Sequence, residues 1–139
     1  MRSPLAIAAT VCLGLALGGC SLTKANPTTP ANVSGPVKAL GTLVSNFSSD
    51  ANSGNQAKIC SSILSTALEQ ALNRHGGCET DVSNQLASIN DFTLTITKYN
   101  VSGNSAVAVV KSPYDGKTRP ATLHFVKQPQ GGWRISGIS

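Results

Sequence analysis

A chain of 139 residues and 14.2 kDa has room for one domain. It is 40% hydrophobic, 4% aromatic and 12% charged, which is not the profile of a disordered chain, and it is too short for a multidomain enzyme or a full Rossmann or barrel fold. The net charge of +5 is spread along the chain without a Lys/Arg run, and nothing resembles a helix-turn-helix, a zinc finger or an RNA-binding signature, so no nucleic-acid partner is expected.

The chain opens on Met1-Arg2-Ser3, a short positive start, and residues 5–17 then carry no charge. Thirteen residues suit the apolar core of an export signal and fall short of the roughly 20 that cross a bilayer. The following Leu17-Gly18-Gly19-Cys20-Ser21 resembles the lipobox of bacterial lipoproteins, with small residues before a cysteine. The resemblance implies diacylglycerol on Cys20, cleavage after Gly19 and acylation of the new amino terminus, palmitate included. Two acyl chains anchor a protein where one binds only marginally. The expected organisation is a lipoprotein signal peptide over 1–19, the lipidated cysteine and a flexible tether over 20–33, and one domain over 34–139. The expected place is the extracytoplasmic side of a bacterial cell membrane, or the outer membrane in an organism with two. Loss of Arg2 leaves ten basic against six acidic residues, a balance that suits anionic headgroups or acidic wall polymers.

Cys12 leaves with the signal and Cys20 takes lipid, so Cys60 and Cys78 remain as a pair in an oxidising compartment. A disulfide is expected, worth about 3 kcal/mol on the chain-entropy model. Two buried free thiols are the alternative. A zinc site built from the pair and His75 can be drawn, but it would consume the disulfide and lacks a tight motif. No metal and no cofactor is expected.

Residues 21–32, SLTKANPTTPAN, have two prolines and no period, and read as the tether. Ser34-Gly35-Pro36 reads as a helix start with a capping serine. Val37, Leu40, Leu43, Val44 and Phe47 then make one apolar stripe, with Gly41 inside it for close helix packing. SSDANSGN at 48–55 ends that helix. A second helical stretch runs from about Gln56 to Arg74, with a break at Ser65-Thr66, and Gly76-Gly77 stops it. Thr80 caps a short helix through Ile89, buried by Val82, Leu86 and Ile89.

After Asn90 the period falls to two. Phe92, Leu94 and Ile96 alternate with Thr93, Thr95 and Thr97 in a first strand. Residues 100–104 turn. Residues 106–111 form a second strand with Val107 and Val109 inward. Pro113-Tyr114-Asp115-Gly116 turns again, and 118–127 form a third strand with Leu123 and Phe125 opposite His124. Trp133, Ile135 and Gly137 belong to the last. Helices first and an antiparallel meander after predict an α+β domain with the helices on one face of a curved sheet.

The helix stripe, the cysteine in the second helix, Gly76-Gly77-Cys78 and the closing Gly131-Gly132-Trp133-Arg134-Ile135-Ser136-Gly137 resemble small exported proteins of the NTF2-like superfamily. The resemblance covers residues 34–139. It implies a cone-shaped fold with a cavity between helices and sheet, a fold that serves isomerases and dehydratases as well as non-catalytic domains.

Isomerase chemistry would need a carboxylate base in a formed pocket. Asp50 and Asp115 fall in predicted loops, Glu79 and Asp81 at a helix start, Glu69 in mid-helix and Asp91 at a strand start, so no catalytic residue is assigned. The leading expectation is a tethered protein-interaction module that docks on an envelope protein through Thr93, Thr95, Thr97, Tyr99, Thr122 and His124. The alternative is a carrier or sensor of a small apolar ligand, in a cavity lined by Leu94, Ile96, Val107, Val109, Leu123, Phe125, Trp133 and Ile135. An open cavity would favour the second and a filled core the first.

Overall fold

A computed structural model describes residues 35–114 and 117–139. The lipobox with Cys20 and the tether lie outside the described residues. Helices α1 (Pro36–Asn52), α2 (Gln56–Lys58), α3 (Thr66–Arg74) and α4 (Cys78–Leu86) precede strands β1 (Thr95–Ser102), β2 (Ser105–Tyr114), β3 (Lys117–Lys127) and β4 (Trp133–Ile138). The strands form one antiparallel sheet in the order β1-β2-β3-β4, and the helices cover one face. This is the α+β arrangement that the change of period predicts. Among the described residues no helix is long and apolar enough to cross a membrane.

Helix α1 starts with Pro36 at its first turn and Gly35 as cap, and buries Leu40, Leu43, Val44 and Phe47. It runs to Asn52, past the expected end. Ser48 within it and Ser53 at its C-cap donate their hydroxyls to carbonyls four residues back. Asp50 is therefore helical and buried rather than in a loop, with Oδ1 3.0 Å from Lys58 Nζ. Gly41 does not serve close packing: a Cβ there would meet nothing within 4 Å.

The second helical stretch is in pieces. Helix α2 passes into a π-helical turn at Ile59–Ile63 that buries Ile59, Cys60 and Ile63. The chain then extends at Leu64 and Ser65, at the expected break. Leu64 bridges to Ile135, and the Ser65 N–H donates to the Ile135 carbonyl at 2.8 Å. This contact shields the open edge of β4 from pairing with another strand. The Ser65 hydroxyl accepts from the Leu68 N–H and so caps α3.

Helix α4 begins at Cys78, two residues before the expected Thr80 cap. Gly76 and Gly77 hold φ of 133° and 108°, a region that favours glycine, and let the chain reverse. Asn73 Oδ1 then accepts from the Cys78 N–H at 2.9 Å, while Glu79 and Asp81 sit in the first turn, where the helix dipole favours negative charge. Cys60 and Cys78 are bonded across 6.1 Å between Cα atoms, as the cysteine count predicts.

The meander is as expected, but the faces of two strands are not. On β2 the inward residues are Ala106, Ala108 and Val110, whereas Val107 and Val109 lie on the outer face. Both alternations of this strand are apolar, so period alone does not choose. Packing chooses: Ala106 pairs with Phe125 and Ala108 with Leu123, and small side chains beside large ones leave room for α1. On β1 a register shift between Ile96 and Lys98 turns the alternation over. Tyr99 and Val101 thus pack against the core, and Tyr99 is not part of an outer face.

Candidate functional site

The helices and sheet meet in two unlike regions. Around Leu40, Ile59, Phe125, Trp133 and Ile135 the interface is filled, and each is at most 7% exposed. Towards α3 and α4 it is not filled. There a cavity of about 370 Å³ lies partly open to solvent. Its helical wall is Leu68 and Leu72 of α3 with Val82, Gln85 and Leu86 of α4, followed by Ile89. Its sheet wall is Val110, Ser112, Ala121, Leu123 and Ile138. Phe47, Ile59, Leu64, Phe92 and Leu94 complete it.

Local chemistry holds these walls in place. Asn52 at the end of α1 donates from Nδ2 to the Phe92 carbonyl at 2.9 Å and accepts from the Phe92 N–H at 2.8 Å. Ser48 accepts from the Leu94 N–H at 3.3 Å. The segment before β1 is thereby fastened to α1, and Phe92 meets Phe47 edge to face at 5.1 Å between centroids. The Cys60–Cys78 bond pins the start of α4. Between Cys78 and Phe92 the chain buries no further residue completely, and Val82, Leu86 and Ile89 stay half-buried over the cavity.

The lining is apolar except for Gln85 and Ser112, and among the described residues it includes no titratable side chain. Asp50, although buried, faces Lys58 and does not line the cavity, and its Oδ2 has no hydrogen-bond partner. His75 is an exposed cap of α3. His124 is exposed on the outer sheet face, with Nε2 3.1 Å from Ser139 Oγ. Among the described residues no His, Cys, Asp and Glu cluster could hold a metal ion. The space suits an apolar guest held by contact, with room for roughly a dozen water-sized groups.

Of the eight residues expected to line a cavity, Leu94 and Leu123 do so. Phe125, Trp133 and Ile135 are inward but consumed by the filled core, and Ile96 packs against that core outside the lining. Val107 and Val109 are on the wrong face. The helical wall was legible as an apolar stripe at Leu68, Leu72, Val82, Leu86 and Ile89, but not as a wall, because its half-burial depends on how far α4 stands from the sheet. Ile138 joins because a register shift between His124 and Phe125 brings it opposite Leu123.

The expected docking residues assemble in part. Thr95 pairs with Lys111, Thr122 with Val109 and His124 with Val107, which puts them on the outer face. Thr97 sits at the register shift and donates its hydroxyl to the Val109 carbonyl. Thr93 precedes β1 and bonds Asp91 Oδ1.

No family model and no curated protein matches the chain. Among solved structures it is similar to a protein of Shewanella frigidimarina, provisionally named a ketosteroid isomerase, at 21% identity and a TM-score of 0.49, covering 72% of this chain and 92% of that one. A match at that level assigns neither a family nor an activity to this chain.

Proposed function

We propose that this chain is an NTF2-like binding domain that holds a small apolar ligand in the cavity between α3, α4 and the sheet. The partly open space of about 370 Å³ carries the reading. Ligand clefts run from about 300 Å³ upward and are lined mostly by apolar side chains, and this space falls within that description. Each methylene buried there contributes roughly 0.8 kcal/mol, so a chain of eight offers about 6 kcal/mol before the cost of lost motion. Among the described residues the lining has no acid or base to move a proton, which supports carriage or sensing over isomerisation.

The domain would work at a membrane surface, tethered by lipid on Cys20. Export would also suit the Cys60–Cys78 bond. Cys20→Ser is expected to move the protein out of the membrane fraction; full retention would contradict the anchor.

The cavity is tested with the neutral fluorophore N-phenyl-1-naphthylamine and the full chain. Saturable one-to-one binding is expected, abolished by Ala121→Trp, which fills the sheet wall. Binding that survives Ala121→Trp, or no binding at all, would contradict the reading.

A second reading rests on Val107, which is 37% exposed beside the half-buried Val109 and Val126. An outer face with this apolar strip supports docking of an envelope protein there, compatible with a ligand on the inner face.

A further inference from the structure

The ligand of the proposed cavity can be narrowed from the two polar side chains that line it. From α4 onward the lining residues Val82, Gln85, Leu86 and Ile89 are spaced three and four apart, so Gln85 stands within an apolar helical stripe. On β2 the inward alternation runs Ala106, Ala108, Val110, Ser112, so Ser112 is the polar end of an apolar row. One polar group thus comes from the helical wall and one from the sheet wall. An amide and a hydroxyl each donate and accept, and neither carries charge.

Charge around the cavity does not favour an ion. Among the described residues no titratable side chain lines it, so a charged head inside would lose water without gaining a counter-charge. Outside the lining the two walls differ in sign. Helices α3 and α4 hold Glu69, Glu79 and Asp81 against Arg74, and Asp91 adjoins lining Phe92. Strands β2 and β3 hold lysine and arginine with no acidic residue. An anion drawn to the sheet is repelled by the helices, and for a cation the reverse holds.

We infer that the ligand is an uncharged single-chain amphiphile: its chain lies against the apolar lining, and a hydroxyl or ester head exchanges hydrogen bonds with Gln85 and Ser112. At roughly 30 Å³ for each water-sized group, a space of about 370 Å³ takes a chain of about ten carbons with its head. The inference rests on the cavity reading and adds the head group to it.

The test is displacement of N-phenyl-1-naphthylamine from the full chain at neutral pH by competitors of equal carbon count: butylbenzene, decanol, methyl nonanoate, decanoate and decylammonium. Butylbenzene reports the cavity alone. Decanol and methyl nonanoate add a neutral head, and the last two add a charge. The better neutral head is expected to compete at least about tenfold more strongly than either ion. In the double variant Gln85→Leu and Ser112→Ala, competition by that head relative to butylbenzene should fall about tenfold, with butylbenzene itself unchanged or improved. Retained butylbenzene competition shows that the variant is folded. Preference for decanol identifies a hydroxyl head and preference for methyl nonanoate an ester, and either supports the inference. If an ion competes as well as the better neutral head, or if the double variant leaves the ratio to butylbenzene unmoved, the inference is overturned and the cavity stands. If neither the fluorophore nor butylbenzene binds, the cavity reading itself is overturned.

Discussion

The two ends of the helix–sheet interface are built from similar residues and differ in how completely they meet. At one end α1 spans 17 residues and lays Leu40, Leu43, Val44 and Phe47 onto the sheet, where Phe125, Trp133 and Ile135 close the space. At the other, α3 and α4 have nine residues each, and Cys78 is the one residue the two helices bury completely. The sheet there presents the small Ala121 and Ser112 among Val110, Leu123 and Ile138. A long helix that buries four large side chains against the sheet makes a core. Two short helices that bury little against the sheet leave a cavity, held by a disulfide and by the Asn52 bonds to Phe92.

That contrast should separate stability from binding. The largest effect belongs to the filled end: Phe125→Ala should cost about 3–5 kcal/mol in denaturant unfolding. Loss of the disulfide by the double change Cys60→Ser and Cys78→Ser should follow at about 3 kcal/mol, with faster amide exchange over residues 78–89. At the open end, Leu86→Ala should cost about 1 kcal/mol of stability, because Leu86 is only half-buried, yet weaken N-phenyl-1-naphthylamine several-fold. Gly41→Ala should stabilise by up to about 1 kcal/mol, since the site is helical and has open space. Val107→Thr on the outer face should change stability by less than about 0.5 kcal/mol. A loss of binding in Phe125→Ala at temperatures where it remains folded would blur the contrast; a large stability loss in Leu86→Ala would break it.

The element order and the meander were legible because period and turn residues are local signals. The Cys60–Cys78 pair was legible from the count of cysteines once Cys20 was set aside. Two facings were not. The run Ala106-Val107-Ala108-Val109-Val110 is apolar on both alternations, and the choice lies in the long-range pairing with Leu123 and Phe125. On β1 the register shift after Ile96 has no glycine to announce it. The cavity lies between helices and sheet as expected, but of the eight residues expected to line it only Leu94 and Leu123 do so, and its helical wall was not expected. Whether a half-apolar helix closes on a sheet depends on helix length and distance, and neither is written in the pattern of Val82, Leu86 and Ile89.

The most direct test of the account is a decanol titration of the methyl-labelled full chain followed by NMR. Shifts are predicted at Leu68, Leu72, Val82, Leu86, Ala121 and Ile138, with Leu40, Leu43 and Ala106 unmoved. Shifts confined to Val107, Val109 and Val126 on the outer face, or none at saturating decanol, would contradict a ligand cavity.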